Sequence, residues 1–292
     1  MSLRSLGRRL ACGGVGLVAF VASSDALAAQ PVAASASALG QRVDTAAARP
    51  SPAFGWPELR GFAITAALGA AASLADQSVR NRSQAAGPQN SDAVHAVAEY
   101  GDLFGQPASI SMAWAMYGGG LLAKRPVLAR TGFRAVESIT VSGGVTWLLK
   151  QVFGRARPEV SPDDPGDWEW GRGFGKVDGD FLSMPSGHTT AAFAFATAVT
   201  RNVAREAPQH ARWVGITTYT SATLTAYARI YKDRHWLSDV TVGAGVGTVT
   251  ALAIDRWHAT RTNDRIDGFF LKPVLAPLPD GSTGVGFNLQ FR

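Results

Sequence analysis

The sequence predicts an all-α fold: a helical bundle of about six core helices, with a small C-terminal β-hairpin. Three observations predict it. First, six apolar stretches follow one another between Pro57 and His258: Gly61–Ala75, Ala108–Ala123, Ala135–Leu149, Thr189–Val199, Trp213–Ala228 and Val240–Ile254. At about 11–16 residues each, they exceed ordinary strands yet fall short of the roughly 20 residues of a bilayer span. Second, no alternating strand pattern occurs before residue 268. Third, 46% hydrophobic residues, 17% charged residues and 32 glycines suit a membrane or tightly packed helical protein and not a disordered chain.

In chain order, residues 1–28 read as a signal peptide. Arg4, Arg8 and Arg9 form a positive start, Leu10–Ala22 an apolar run, and Ala26-Leu27-Ala28 a small-residue cleavage pattern. Residues 29–56, rich in Ala, Ser and Pro, read as a flexible linker. Residues 57–260 form the helical domain, which includes a shorter helix over Asp92–Leu103. Gly243, Gly245 and Gly247 lie inside the last apolar stretch, so they read as points of close helix packing and not as a dinucleotide loop. Gly118–Gly120 invite the same reading. Residues 261–292 form the tail. There Phe269–Leu278 and Gly284–Arg292 flank the turn signal Pro279-Asp280-Gly281-Ser282, and Val285, Phe287, Leu289 and Phe291 alternate with smaller or polar residues.

Composition narrows the function classes. The net charge of +6 comes from scattered basic residues with no Lys/Arg run interleaved with aromatics, which disfavours nucleic-acid binding. Cys12 is the single cysteine, so no internal disulfide framework or Cys-based metal site is available.

The chemistry centres on Met184-Pro185-Ser186-Gly187-His188-Thr189-Thr190, which runs straight into an Ala-rich apolar stretch. A Ser-Gly pair opening a helix leaves backbone N–H groups at the positive end of the helix dipole, ready for an anion. His188 adds a group that exchanges a proton near neutral pH. Upstream, Lys150 is followed by Arg157-Pro158; downstream, Arg229 is followed by His235 and Asp239. His235 and Asp239 are four apart and share a face if helical, so the carboxylate can orient one imidazole nitrogen while the other meets a substrate. Lys150, Arg157 and Arg229 supply the positive charge that a phosphoryl group requires. Each piece alone also reads as a capped helix, a solvated helix end or a surface pair.

Together, Lys-x6-Arg-Pro, Pro-Ser-Gly-His and Arg-x5-His-x3-Asp, in that order, resemble the type 2 phosphatidic acid phosphatase superfamily, which includes bacterial acid phosphatases and vanadium haloperoxidases. The resemblance covers about residues 57–258. It implies His235 as the nucleophile of a phosphohistidine intermediate, Asp239 as its orienting carboxylate and His188 as the acid for the leaving group. It implies Lys150, Arg157, Ser186, Gly187 and Arg229 as ligands of the phosphate oxygens. It also implies a metal-free hydrolase with no cofactor, vanadate being an inhibitor or, in a haloperoxidase, a cofactor. The chain departs from the family at Ala228, where Ser is usual. The expected substrates are phosphorylated lipids, with a periplasmic acid phosphatase acting on soluble phosphomonoesters, or a vanadate-dependent haloperoxidase, as the alternatives. The loop Glu159–Ser183 carries several acidic residues and the pair Trp168 and Trp170, which are expected to repel highly anionic substrates and to touch a lipid or aromatic leaving group.

A cleaved signal followed by six spans would leave the site in the cytoplasm and place Lys124, Arg125, Arg130 and Arg134 outside, against the positive-inside rule. The expectation is therefore an exported, membrane-associated bundle in the periplasm or inner membrane, its site facing the periplasm.

Overall fold

The computed structural model describes residue 52 and segments 54–175, 179–261, 265–271, 274–277 and 283–286. The expected signal peptide and nearly all of the expected linker lie outside the described residues. The helices are α1 (Trp56–Ser73), α2 (Asp76–Ser83), α3 (Ala86–Gln89), α4 (Asp92–Leu103), α5 (Ser109–Leu122), α6 (Pro126–Phe153), α7 (Gly187–Glu206), α8 (Pro208–Tyr231), α9 (Leu237–Ala259) and α10 (Arg265–Phe270). Each of the six apolar stretches forms part of a helix, and α4 has the predicted bounds.

All but α5 of the six helices that carry the apolar stretches run longer than those stretches. The largest difference is α6, whose 28 residues begin at Pro126. Its first turns carry Arg130 and Arg134, which are not loop residues. Arg130 pairs with Glu206, and Arg134 with Asp267. Between α4 and α5 the chain bends at Gly105 (φ −53°, ψ −126°), two residues before Pro107.

Helices α7 and α9 sit at the centre. α7 packs against α6, α8 and α9, and α9 also packs against α1 and α6. The inner faces are small: Ala191, Ala192, Ala194, Ala196 and Ala198 are buried with Phe195 and Val199. Small side chains let the backbones approach closely. A Cβ on Gly243 would lie 2.7 Å from Ser186 O, and one on Gly247 2.3 Å from Thr190 O, so the expected close packing of these glycines holds. Gly120 likewise meets Ala129, whereas Gly118 and Gly119 face open space.

In the tail, β1 (Val274–Pro277) and β2 (Thr283–Gly286) pair antiparallel, Val274 opposite Gly286 and Pro277 opposite Thr283. The expected turn and the last residues of the expected second arm lie outside the described residues. Phe269 and Phe270, expected in the first arm, belong instead to α10, where Tyr117 Oη donates to Phe270 O (2.8 Å).

Candidate active site

The three motifs meet at one end of the bundle: the C-termini of α6 and α8, the N-termini of α7 and α9, and the loops between them. Gly154 ends α6 in the left-handed conformation (φ 54°), and a Cβ there would lie 2.2 Å from Glu169 O. This turn swings the chain off the helix just after Lys150. Arg157 N then donates to Asp180 O (2.9 Å) and Arg157 Nε to Gly179 O (2.8 Å). Lys150 Nζ donates to Leu182 O and to Ser183 O (3.2 Å), which aims the ammonium toward the start of α7.

The spacing of the third motif is explained by a tight turn. Asp233 is left-handed (φ 57°) and is held by Arg80 at 2.7 Å. The N–H groups of Arg234 and His235 both donate to Arg229 O, at 3.0 and 3.2 Å. Arg229 and His235 are thereby folded onto one side. Arg229 is anchored through Nη1 to Asp102, which also accepts from Lys232 Nζ at 2.8 Å.

His235 lies ahead of α9, not on it as the four-residue spacing suggested. Trp236 is the N-cap, and Asp239 Oδ2 accepts the Trp236 N–H at 2.9 Å. The imidazole and carboxylate are nonetheless neighbours, with Nδ1 3.6 Å from Oδ2. That gap exceeds a hydrogen bond, and His235 Nδ1 is buried without a hydrogen-bond partner. Ser186 caps α7 and is fully buried. Its N–H is donated to Asp239 O (3.0 Å) and its hydroxyl accepts from Thr189 Oγ1 (3.0 Å). The groups left to meet an anion are therefore the Ser186 Oγ–H, which this acceptor role leaves free to donate, and the first-turn N–H groups from Gly187 onward. His188 lies under the bend of the α4–α5 connection, where a Cβ on Gly105 would be 3.0 Å from its ring.

The electrostatics are those of a site prepared for negative charge. Burial, reinforced by Arg157 and Arg229 and opposed by Asp239, lowers Lys150 to about 7. Burial, together with the charges of Arg229, Lys150 and Arg157, lowers His188 to about 4, with Asp102 opposing. Burial also holds His235 well below its ordinary value, against the pull of Asp239. Burial works to raise Asp239, but Arg155, His235 and Ser183 outweigh it and hold the carboxyl at about 2. The resting site thus presents two neutral imidazoles and a firmly ionised Asp239.

The geometry brings in residues that spacing did not reveal. Arg155 contacts Asp239 Oδ1 at 2.6 Å and Asp76 Oδ2 at 2.7 Å. Ser183 Oγ donates to Asp239 Oδ2. Asp102 joins from α4, where nothing in the sequence marked it. Trp168 lies with its ring 4.6 Å from the Arg155 guanidinium and packs on Phe153. Trp170 remains 73% exposed. The acidic loop is partly neutralised, since Asp167 pairs with Arg172 at 2.8 Å and Glu159 pairs with Arg234. Ala228, the departure from the expected motif, is buried against Ala98 and Tyr231. Among the described residues, no group of three or more His, Cys, Asp or Glu is arranged to hold a metal.

Residues 131–263 match the family profile of the PAP2 superfamily. A lipid A 1-phosphatase of Porphyromonas gingivalis is 34% identical over 109 residues, which is 37% of this chain and 20% of that protein. The chain thus spans about a fifth of the length of this curated relative. The fold resembles that of a transmembrane PAP2-type phosphatidylglycerolphosphate phosphatase from Bacillus subtilis, with a TM-score of 0.52 at 16% identity, over 68% of this chain and 94% of that one.

Proposed function

From residues 131–263, which belong to the PAP2 superfamily, we propose that this chain is a phosphoric ester hydrolase acting on lipid phosphates through a phosphohistidine intermediate. The observation that carries the reading is the convergence on His235: an ionised Asp239 behind it and Lys150 and Arg229 acting on it electrostatically. The relatives named above as lipid A and phosphatidylglycerolphosphate phosphatases favour lipid phosphates over soluble esters.

In the proposed reaction, His235 Nε2 attacks phosphorus as the bond to the leaving oxygen breaks. His188 gives that oxygen its proton. Asp239 stabilises the positive imidazole through Nδ1–H, a contact that is long in the resting site and of the kind that tightens in reactive complexes. His188 then takes a proton from water, whose oxygen attacks phosphorus and releases Nε2. Lys150, Arg157, Arg229 and the N-terminus of α7 hold the phosphoryl oxygens while charge spreads over them. The charged and histidine side chains suffice for every proton transfer, and the family resemblance implies no metal.

Phosphate release from lipid phosphates and from soluble monoesters, with His235→Ala as control, tests this reading. It predicts faster release from the lipid substrates, loss of at least about 10³-fold in the variant, and acid-labile labelled phosphate on the wild type alone. Full activity in His235→Ala would sink the mechanism, and preference for soluble esters would sink the lipid assignment.

The exported, periplasm-facing placement belongs to the same proposal. Outer faces carry large apolar side chains, including Ile64, Leu68, Trp114, Trp147, Trp213 and Ile216, each more than half exposed except Ile216 at 49%. Such an extent of exposed apolar surface favours contact with lipid. Among the described residues, one helix, Leu237–Ala259, is long and apolar enough to cross a membrane, and 61% of its most apolar stretch is buried inside the bundle; the bent pair Trp56–Ser73 and Asp76–Ser83 passes the same test only if taken together. Carbonate washing of membranes distinguishes attachment from insertion, and complete recovery in the soluble fraction without washing would contradict the membrane reading.

A further inference from the structure

A buried ion chain leads away from the nucleophile, and the reaction scheme above leaves it unused. Arg155 is 1% exposed. Its Nη1 donates to Asp239 Oδ1 (2.6 Å) and Ser238 Oγ (2.7 Å), and its Nη2 to Asp76 Oδ2 (2.7 Å) and Pro165 O (2.8 Å). Asp76, at the start of α2, also accepts from Ser238 N (2.8 Å) and Ser238 Oγ (2.6 Å). The fork therefore clamps α2 and the first turn of α9 to the segment that carries Arg157.

Burying three charges is expensive, and well-packed apolar side chains fill such a volume without that cost. What a guanidinium adds is direction: a planar fork fixes two carboxylates relative to each other, which a single ammonium cannot. Asp239 shows the result. Its Oδ2 takes Ser183 Oγ and the Trp236 N–H, and its Oδ1 takes Arg155. Rotation of the carboxylate would break a charged bond, so Oδ2 stays facing His235 Nδ1.

We propose that Arg155, held by Asp76, is a positioning residue for phosphoryl transfer, locking the Asp239 carboxylate in the plane that orients His235. The proposal rests on the phosphohistidine reading above.

The test uses Arg155→Lys and Asp76→Asn in the full-length protein, each also in an Asp239→Asn background. An activated aryl phosphate keeps low rates readable. The expected result is a fall in kcat of about 10–100-fold, the range seen when partners that orient active-site ligands are lost, with KM changed less than about twofold. With Asp239 already replaced, the same substitutions should cost less than about threefold, because residues acting through one group are not additive. Equal losses in both backgrounds, or a rise in KM at unchanged kcat, would overturn the positioning role. Should Arg155→Lys fail to fold by circular dichroism, the Asp76→Asn pair is judged by the same criterion. His235→Ala separates the two readings. Activity retained there overturns the phosphohistidine mechanism, whereas activity lost there alongside additive Arg155 losses overturns only the positioning role.

Discussion

Lys150 ties the reaction to pH. Its ammonium, drawn down to about 7 by burial and by Arg157 and Arg229 against Asp239, is a full positive charge only below that pH. For an anionic substrate, kcat/KM is expected to fall as pH rises through about 7. Lys150→Arg, whose guanidinium stays protonated, should extend the plateau into alkaline pH. An alkaline limb that does not move in the pH–rate profile would remove Lys150 from the cradle. On the acid side the proposed mechanism needs His235 neutral to attack, and since burial lowers its pKa, the acidic limb should lie below the ordinary histidine range. His188, lowered to about 4, has to gain its proton with the anion bound. In the proposed scheme His188→Ala should therefore slow phosphorylation of His235 by an alkyl phosphate about 10²–10⁴-fold and phosphorylation by an aryl phosphate, whose leaving group needs no proton, far less, while the later water attack slows alike for both. Equal losses in that first step, read in single-turnover bursts, would argue against His188 as the acid. The ring of cations and histidines was legible because its members recur in fixed order along the chain. Asp76, Arg155 and Asp102 were not, because a buried ion pair spanning 79 residues, as between Arg155 and Asp76, leaves no local pattern.

Elements show a similar division. Apolar stretches located the helices, but their ends were hidden where charged side chains find partners far away in sequence. Arg134 reads as a loop residue until Asp267 is placed beside it. The i, i+4 spacing of His235 and Asp239 suggested one helix face, whereas capping of Trp236 by Asp239 starts the helix two residues later than that reading needs. Glycine was read correctly where the backbones touch. Gly247→Ala should lower stability by about 1–3 kcal/mol, the usual cost of overpacking, because its Cβ would sit 2.3 Å from Thr190 O. Gly118→Ala, facing open space on α5, should instead raise stability by about 0.5–1 kcal/mol through helix propensity. Thermal melts of the two variants check the contrast, and a shift in the same direction for both would contradict it.

At the scale of the whole molecule, the outer faces bear on where the protein sits. Trp147 and Trp213 are both 62% exposed on α6 and α8. If these faces meet lipid, replacing both with Glu should move protein from the membrane to the soluble fraction and raise KM for a vesicle-borne substrate, while leaving KM for a soluble ester unchanged. Unaltered partition would show that these faces serve another purpose. The helical bundle was readable from the apolar stretches, but the side of the membrane was not. Length, hydropathy and positive charge pointed to different topologies, and α9, the one single helix among the described residues that is long and apolar enough to cross, has 61% of its most apolar stretch buried inside the bundle.

The bond from Ser186 N to Asp239 O joins the end of α7 proposed to bind the anion to the first turn of α9, beside the proposed nucleophile His235. The proposed oxyanion cradle and attacking group are therefore set by one common tolerance, like two jaws cut from a single block. Gly243 presses on that block: a Cβ there would lie 2.7 Å from Ser186 O. A single methyl group on α9 would shift the jaws together. The gap between two helix backbones is in this sense a dimension of the candidate site.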